Sequence, residues 1–469
     1  MNIGFIVSNN KTIFFYQVAK KLESYGYKTW WLSPNKYWAK WLQDHGVPKE
    51  RILDITDFGQ EWESKYKLGL NERDSHDLHE LEKDYTLNIN NLILMDRLLS
   101  RKEYEYALSY LLVCNKYIEK FLLENNIQVV FYEATWAIEL LTVMICNKIG
   151  IIACSPHTVR IPDGRFAFFD GYLQSEIIHI RNPDDKDRVQ AKKYYKEFLN
   201  KKPKPKYWYL NNKTPSLKFS WFIKLYKHII LSLKGQNKFD ETYFGIKWLI
   251  KNRIREVKNA WLLKVKNPFE QPNLDEPYIL FTLHKQPEAS VDVLGSYYSN
   301  QIETIKLISR ITPVTHKVYV KEHSNAIGDR SISYYNEIKR IPGVKLIHPS
   351  LDSHDLIRNA DLVITISGTV AYEASLYGVP AVTLSSMFYK DILTVNQAEI
   401  QKLNITDIIE NKGQRLKIGD NIINFLAYIY ANSFEGIISD PVSDPSCISE
   451  ENISKTVKGF RSLLDKLTY

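Results

Sequence analysis

"DLVITISGTVAYEASLYGVPAVTL", residues 361–384, decides the fold. The β-branched apolar run Leu362 to Ile366 has the character of a buried parallel strand. It stops at Ser367-Gly368-Thr369, and a helical pattern runs from Val370 to Tyr377. Gly378 and Pro380 end that helix, and "AVTL" starts another strand. A hydroxyl-bearing turn between strand and helix offers backbone N–H groups at the positive end of the helix dipole, a place for phosphate. Glu373 follows Thr369 by four residues, one turn into the helix and on the same face. There its carboxylate is placed to accept hydrogen bonds from ribose hydroxyls.

Two upstream pieces share this grammar. "YILFTLHKQPEAS" (278–290) and "HKVYVKEHSNAIGDR" (316–330) each end an apolar strand in a burst of polar residues. Open parallel sheets bind ligands at the carboxyl ends of their strands. Three such ends rich in Lys, His, Glu, Ser and Thr imply one polar cleft.

These pieces resemble the capsule polysaccharide biosynthesis family, which includes Kdo transferases. The resemblance rests on "LHKQPEAS", on "VKEH" followed by "GDR" and a Tyr-Tyr pair, on "DSHDLIRNADLVITISGT" and on "YEASLYGVPAV". It covers residues 278–390 well and the amino-terminal half loosely. It implies an α/β, GT-B-like fold: two Rossmann-like domains facing across a cleft, with a nucleotide-sugar donor held by the second. Donor binding then falls to Lys321, His323, Ser367, Gly368, Thr369 and Glu373. Related sequences often carry His-Pro, associated with cytidine nucleotides, where this chain has His323-Ser324. The resemblance therefore leaves the base of the donor open.

The chain has 469 residues, enough for two α/β domains and an insertion. Residues 1–200 read as a Rossmann-like acceptor domain, 201–272 as a basic aromatic helical insertion, 273–435 as the nucleotide-sugar domain and 436–469 as a closing helix. "NIGFIVS" is a first strand, Thr12 to Ser24 a helix and "YKTWWLS" a second strand. Ser8-Asn9-Asn10 stands where a Gly-rich fingerprint would be. Residues 52–85 are polar and acidic and read as a loop-rich excursion, and Asn88 to Glu124 as one long helix. "IQVVFYE" is a buried strand ending at Glu133, followed by a helix from Trp136 to Ile149 and the strand "GIIACSPH".

The charge is uneven. Net charge is +8 overall, yet Lys201 to Phe269 alone holds 17 Lys and Arg against three acids. Trp208, Trp221, Trp248 and Trp261 lie in the same segment. Within it, "KFSWFIKLYKHIILSLK" places Ser220, Lys224, Lys227, His228 and Lys234 on one face of a helix and apolar residues on the rest. That pattern fits an anionic membrane surface; packing on the protein body is the alternative. No nucleic-acid motif accompanies the charge. No run of eighteen apolar residues occurs, and the start lacks the features of a signal peptide. Cys114, Cys146, Cys154 and Cys447 show no CxxC spacing and read as buried thiols. A cytoplasmic protein, peripheral on the inner face of the cell membrane, is the expectation.

Glycosyl transfer needs stabilisation of a departing phosphate and a base for the acceptor hydroxyl. Lys285, Lys321, His323 and Arg330 are candidate cations on the second domain. On the first, Glu133 is the leading base, with its pKa expected to be raised by Tyr132 and Trp136. Glu133 as a cap of the following helix is the rival reading. His157, Asp163 and Arg165 would face the same cleft, Asp163 and Arg165 alternatively as a pair holding a loop. Asp352 reads as a helix N-cap, and with no Asp-x-Asp motif at a strand end no cofactor and no obligatory metal are expected. Partners are a nucleotide-sugar donor and a polysaccharide or lipid-linked glycan acceptor. A nucleotide-sugar 2-epimerase and a non-catalytic capsule-assembly subunit are the alternatives.

Overall fold

The computed structural model describes residues 1–83, 87–201, 215–216, 219–235, 237–411 and 418–468. Two sheets carry it. The first is built from β1 (Asn2–Ile6), β2 (Lys28–Ser33), β3 (Ile52–Asp54), β4 (Ile127–Phe131), β5 (Ile152–Thr158), β6 (Arg165–Asp170) and β12 (Phe434–Glu435). Their order is β12-β6-β5-β4-β1-β2-β3. The second contains β7 (Tyr278–Thr282), β8 (Lys317–Lys321), β9 (Val344–Ile347), β10 (Leu362–Thr365) and β11 (Ala381–Thr383), in the order β11-β10-β7-β8-β9. All pairings in the second sheet are parallel. Each sheet thus runs outward in both directions from its first strand, the Rossmann-like arrangement. Its switch point opens a crevice beyond the strand ends, at β1/β4 in one domain and β7/β10 in the other.

Apolar runs bury on both faces, as parallel strands under helices must. Leu280, Phe281, Val363 and Ile364 are wholly buried. In the first domain Phe5 stacks on Trp31 at 5.2 Å, and Phe131 meets Phe460 edge-on at 4.7 Å. Burying each such side chain contributes about 1.5–3 kcal/mol. The four cysteines are free and buried. No helix among the described residues is long and apolar enough to cross a membrane.

Several elements differ from the sequence reading. The loop-rich excursion expected at residues 52–85 is largely helical over its described residues 52–83, with helices Gly59–Leu68 and Glu72–Glu82 after β3. Asn71 and Asp74 close the second with a capping box, so its polar residues are helix-end chemistry. The segment from Asn88 to Glu124 breaks into Ile89–Met95, a short turn at Leu99–Arg101 and Tyr104–Glu124. Asp96 causes the break. Its buried carboxylate accepts the N–H groups of Leu98 and Leu99, and that of Ala137 at 2.8 Å. That ties the break to the start of helix Ala137–Ile149.

The carboxyl-terminal segment returns to the first domain. β12 pairs antiparallel with β6, and helix Glu450–Thr468 places Phe460 and Leu464 in the core around Phe131. The basic segment bridges both domains. Phe239 meets Trp62 at 5.7 Å in the first, while Asn259 donates to Gly328 O in the second. Pro203, Pro205 and Trp208 lie outside the described residues.

Candidate active site

A cleft of ≈ 890 Å³ separates the two sheets at the carboxyl ends of their strands. Ser8, Lys11, Glu133, His157, Arg160 and Asp163 line it from the first domain. His284, Lys321, His323, Ser367, Thr369 and Glu373 line it from the second. Residues 436–444, between β12 and the last helix, close one side.

The turn after β10 is built by close contacts. A Cβ on Gly368 would stand 2.7 Å from Thr365 Oγ1 and 3.1 Å from His284 Nε2, so no side chain fits there. The Ser367 N–H donates to His284 Nε2 at 3.4 Å, the Gly368 N–H to Thr365 Oγ1 at 3.3 Å, and Ser367 Oγ to Ser290 O at 2.6 Å. The turn thus spends two of its N–H groups and one hydroxyl on its own shape. Ser367 and Gly368 line the cleft with these groups already engaged, and Thr369 and Val370, at the start of helix Val370–Leu376, line it beyond them.

Glu373 sits half-buried at the cleft floor, its N–H donating to Thr369 O at 2.9 Å. Burial pushes its carboxyl up to about 7, against the pull of Lys321 and with a push from Asp352. Lys321 is 6% exposed and donates to Pro349 O at 3.1 Å. His323 is held neutral, near 3, by burial first and then by the charges of Lys321, Lys285 and Arg330 and by His284. Its Nδ1 accepts the Asn325 N–H at 3.1 Å, which leaves the ring proton on Nε2. Asp352 caps helix Ser353–Asn359 through the His354 N–H, as read from the sequence.

Two expected cations are elsewhere. Arg330 is nine-tenths buried, 2.6 Å from Glu322 Oε1, and also donates to His284 O. Glu322 accepts the Tyr335 hydroxyl at 2.8 Å as well. Arg330 therefore supports the wall from behind. Lys285 donates to Asn325 O at 3.1 Å and lies 3.7 Å from Asp329, outside the cleft lining.

On the opposite wall, Glu133 accepts Lys11 Nζ at 2.9 Å and Ser8 Oγ at 3.0 Å. Burial alone would raise its pKa, but Lys11, with help from the Ser8 hydroxyl, holds it below the ordinary value. The expected upward shift is therefore reversed, because a cation from the first turn reaches the carboxylate. Nor does Glu133 cap the next helix. Glu139 does, accepting the N–H groups of Thr135 and Trp136, and burial lifts its own carboxyl to about 8. His157 is kept neutral, near 3, by burial and by neighbouring Arg160 and Lys11. Its Nδ1–H donates to Thr158 O at 3.0 Å, so Nε2 carries the open lone pair. Asp163 lines the cleft, but Arg165 turns away to Ser433 Oγ at 2.8 Å, and no loop-holding pair forms between them.

Lys11, Arg97 and Arg160 line the cleft and were not singled out in the sequence. Lys11 directly follows Ser8-Asn9-Asn10, the position where a phosphate-binding turn would have drawn notice. Arg97 lies 5.6 Å over the Trp136 ring and 3.9 Å from Asp292 of the second domain. Only the break at Asp96 brings it there. Among the described residues no three His, Cys, Asp or Glu side chains gather as metal ligands would.

The model of the UDP-N-acetylglucosamine 2-epimerase family matches residues 250–411, a stretch that holds all five strands of the second sheet. No curated protein matches the chain. Similar solved structures include the Thermosulfurimonas dismutans KpsC beta Kdo 2,7 transferase, at 11% identity and a TM-score of 0.32, covering 74% of this chain and 90% of that one. They also include the Methanocaldococcus jannaschii UDP-GlcNAc 2-epimerase in complex with UDP-GlcNAc and UDP, at 13% identity and a TM-score of 0.28, covering 88% and 93%. The S. aureus MnaA–UDP structure matches at 11% identity with a TM-score of 0.27, covering 100% and 98%. Scores this low leave the reaction to be argued from the cleft itself.

Proposed function

We propose that this chain is a glycosyltransferase that moves a sugar from a nucleotide-sugar donor to a polysaccharide or lipid-linked glycan acceptor. One observation carries the reading: the two walls of a single cleft offer opposite chemistry. The second domain presents Lys321, the His323 Nε2–H and the opening of helix Val370–Leu376, all suited to a departing phosphate. Glu373 beside them suits ribose hydroxyls. The first domain presents the His157 imidazole with an open Nε2; burial lowers its basicity, and the carboxylate of Glu133 beside it favours the protonated ring when it takes up a proton.

In this reading the acceptor oxygen attacks the anomeric carbon from the first-domain side. The bond from that carbon to the phosphate oxygen breaks, and its electron pair leaves with the phosphate. The hydroxyl proton passes to His157 Nε2. Glu133, held ionised by Lys11, stabilises the imidazolium that forms; this departs from the sequence reading, in which Glu133 itself was the base. Asp163 and Arg160 flank the acceptor path. No metal enters the scheme, so transfer persists in EDTA; complete loss restored by magnesium or manganese would contradict it.

A nucleotide-sugar 2-epimerase is the second reading, favoured by the family match over 250–411. That match lies over the nucleotide-side domain, which both reactions need. The deciding experiment incubates the protein with a panel of CMP-, UDP-, GDP- and TDP-sugars, with and without glycan acceptors. Nucleotide released only when acceptor is present supports transfer. An epimerised nucleotide sugar formed without acceptor identifies the isomerase.

A further inference from the structure

Helix Phe219–Leu233 carries an apolar face that none of the described residues covers. Phe219, Phe222, Ile223, Tyr226 and Leu233 are 79%, 50%, 44%, 63% and 83% exposed. They stand at i, i+3, i+4, i+7 and i+14, a single stripe along the helix. The other side is the packed one: the His228 ring lies 5.7 Å from Tyr243, and Ser232 Oγ accepts from Asn237. A stripe of this size on the water side marks an interaction surface.

Charge decides what covers it. Residues 219–266 hold eleven Lys and Arg against three acids. Lys224, Lys227 and Lys234 follow the stripe along one flank. All three acids are engaged within the protein. Glu241 is buried against Tyr106 and Lys102, Asp240 accepts the Thr242 N–H and hydroxyl, and Glu256 pairs with Arg253 at 3.0 Å. A second copy would bring one basic face against another. An anionic surface with an apolar interior matches both the lysines and the rings.

We propose that helix Phe219–Leu233 docks this protein in plane on an anionic lipid bilayer, with Phe219, Phe222, Ile223, Tyr226 and Leu233 sunk below the headgroups. The segment after this helix leads back to the cleft. Phe244 stacks on Trp248 at 4.1 Å and packs 6.3 Å from Trp136, which lines the first-domain wall. Tyr243, beside His228 on the packed side of the helix, and its neighbour Phe244 thus join this helix to the wall assigned to the acceptor. The docking itself stands whatever the reaction.

The test is flotation of the purified full chain with phosphatidylcholine vesicles, with and without phosphatidylglycerol. Bound protein should rise about tenfold or more with the anionic lipid and fall with added salt. Phe222→Ser/Tyr226→Ser and, separately, Lys224→Gln/Lys227→Gln/Lys234→Gln should each abolish that gain with an unchanged melting temperature, since these side chains are exposed. Equal flotation with both vesicles, or none, overturns the proposal. So does a dimer in solution that Phe222→Ser/Tyr226→Ser dissociates while vesicle binding is unaffected.

Discussion

Lys11 Nζ lies 2.9 Å from Glu133 Oε1, joining the first turn of the first domain to the end of its central strand β4. The lysine is almost fully buried and the carboxylate is partly open to the cleft. This pair decides the character of the acceptor wall, because it keeps Glu133 charged where burial would otherwise neutralise it.

Removing either partner should reveal that coupling. In a cycle of Lys11→Met, Glu133→Gln and the double variant, the interaction energy from urea unfolding should be about 0.5–3 kcal/mol. The sign with pH follows from a folded pKa below the ordinary 4.5. The contribution is complete above 4.5 and is lost as pH falls through the folded value. Glu133→Gln should therefore lose its cost in acid; a cost independent of pH would contradict the ion pair.

Glu373 has the opposite sign. Its carboxyl is raised to about 7 by burial, so it favours the fold fully below its ordinary 4.5 and ceases to do so as pH rises through 7. In ligand-free protein, Glu373→Gln should raise the melting temperature above pH 7 and leave it unchanged near pH 4. With nucleotide present, Glu373→Ala should weaken binding by about 1.5–3 kcal/mol, the range for a hydrogen bond to a charged group. Calorimetry showing wild-type affinity would remove it from the donor site.

His157→Ala should slow transfer by about 10²–10⁴-fold while donor affinity and melting temperature hold. Glu133→Gln should slow it less, since that residue acts through the imidazole. The reverse order, measured by nucleotide release at saturating donor, would return the base to Glu133.

Arg330→Met should destabilise the protein by about 3–5 kcal/mol, because it leaves Glu322 buried without its cation. Lys285→Ala should cost about 1 kcal/mol or less, its ammonium lying in a partly exposed pair. Urea unfolding distinguishes them. A stable Arg330→Met protein that no longer binds nucleotide would reinstate Arg330 as a donor cation.

Much of the second domain was legible along the chain. The strand at Leu362, the turn at Ser367, the helix bearing Glu373 and the stop at Gly378 are local events. Each is set by β-branching, by the missing Cβ of glycine or by helix periodicity over a few residues. The clustering of Lys321, His323 and Thr369 followed from one rule, that parallel strands deliver their ends to the same edge. The long helix read across Asn88 to Glu124 failed because Asp96 takes a backbone N–H from Ala137, a partner 41 residues away that no window along the chain contains.

What the chain by itself determined was the central strands of both sheets, the helix that follows Thr369, and the gathering of Lys321, His323 and Thr369 at one edge. Only the tertiary structure decided their charge states and duties. Arg330 and Lys321 are both Lys/Arg beside a strand end, yet one is consumed by Glu322 while the other reaches the cleft. Glu133 and Glu373 are both glutamates at switch points, yet Lys11 pulls one carboxyl down and burial pushes the other up. Periodicity acts between neighbours in sequence, whereas a pKa depends on which charges and how much water lie within a few ångströms, and those are set by segments far apart in the chain.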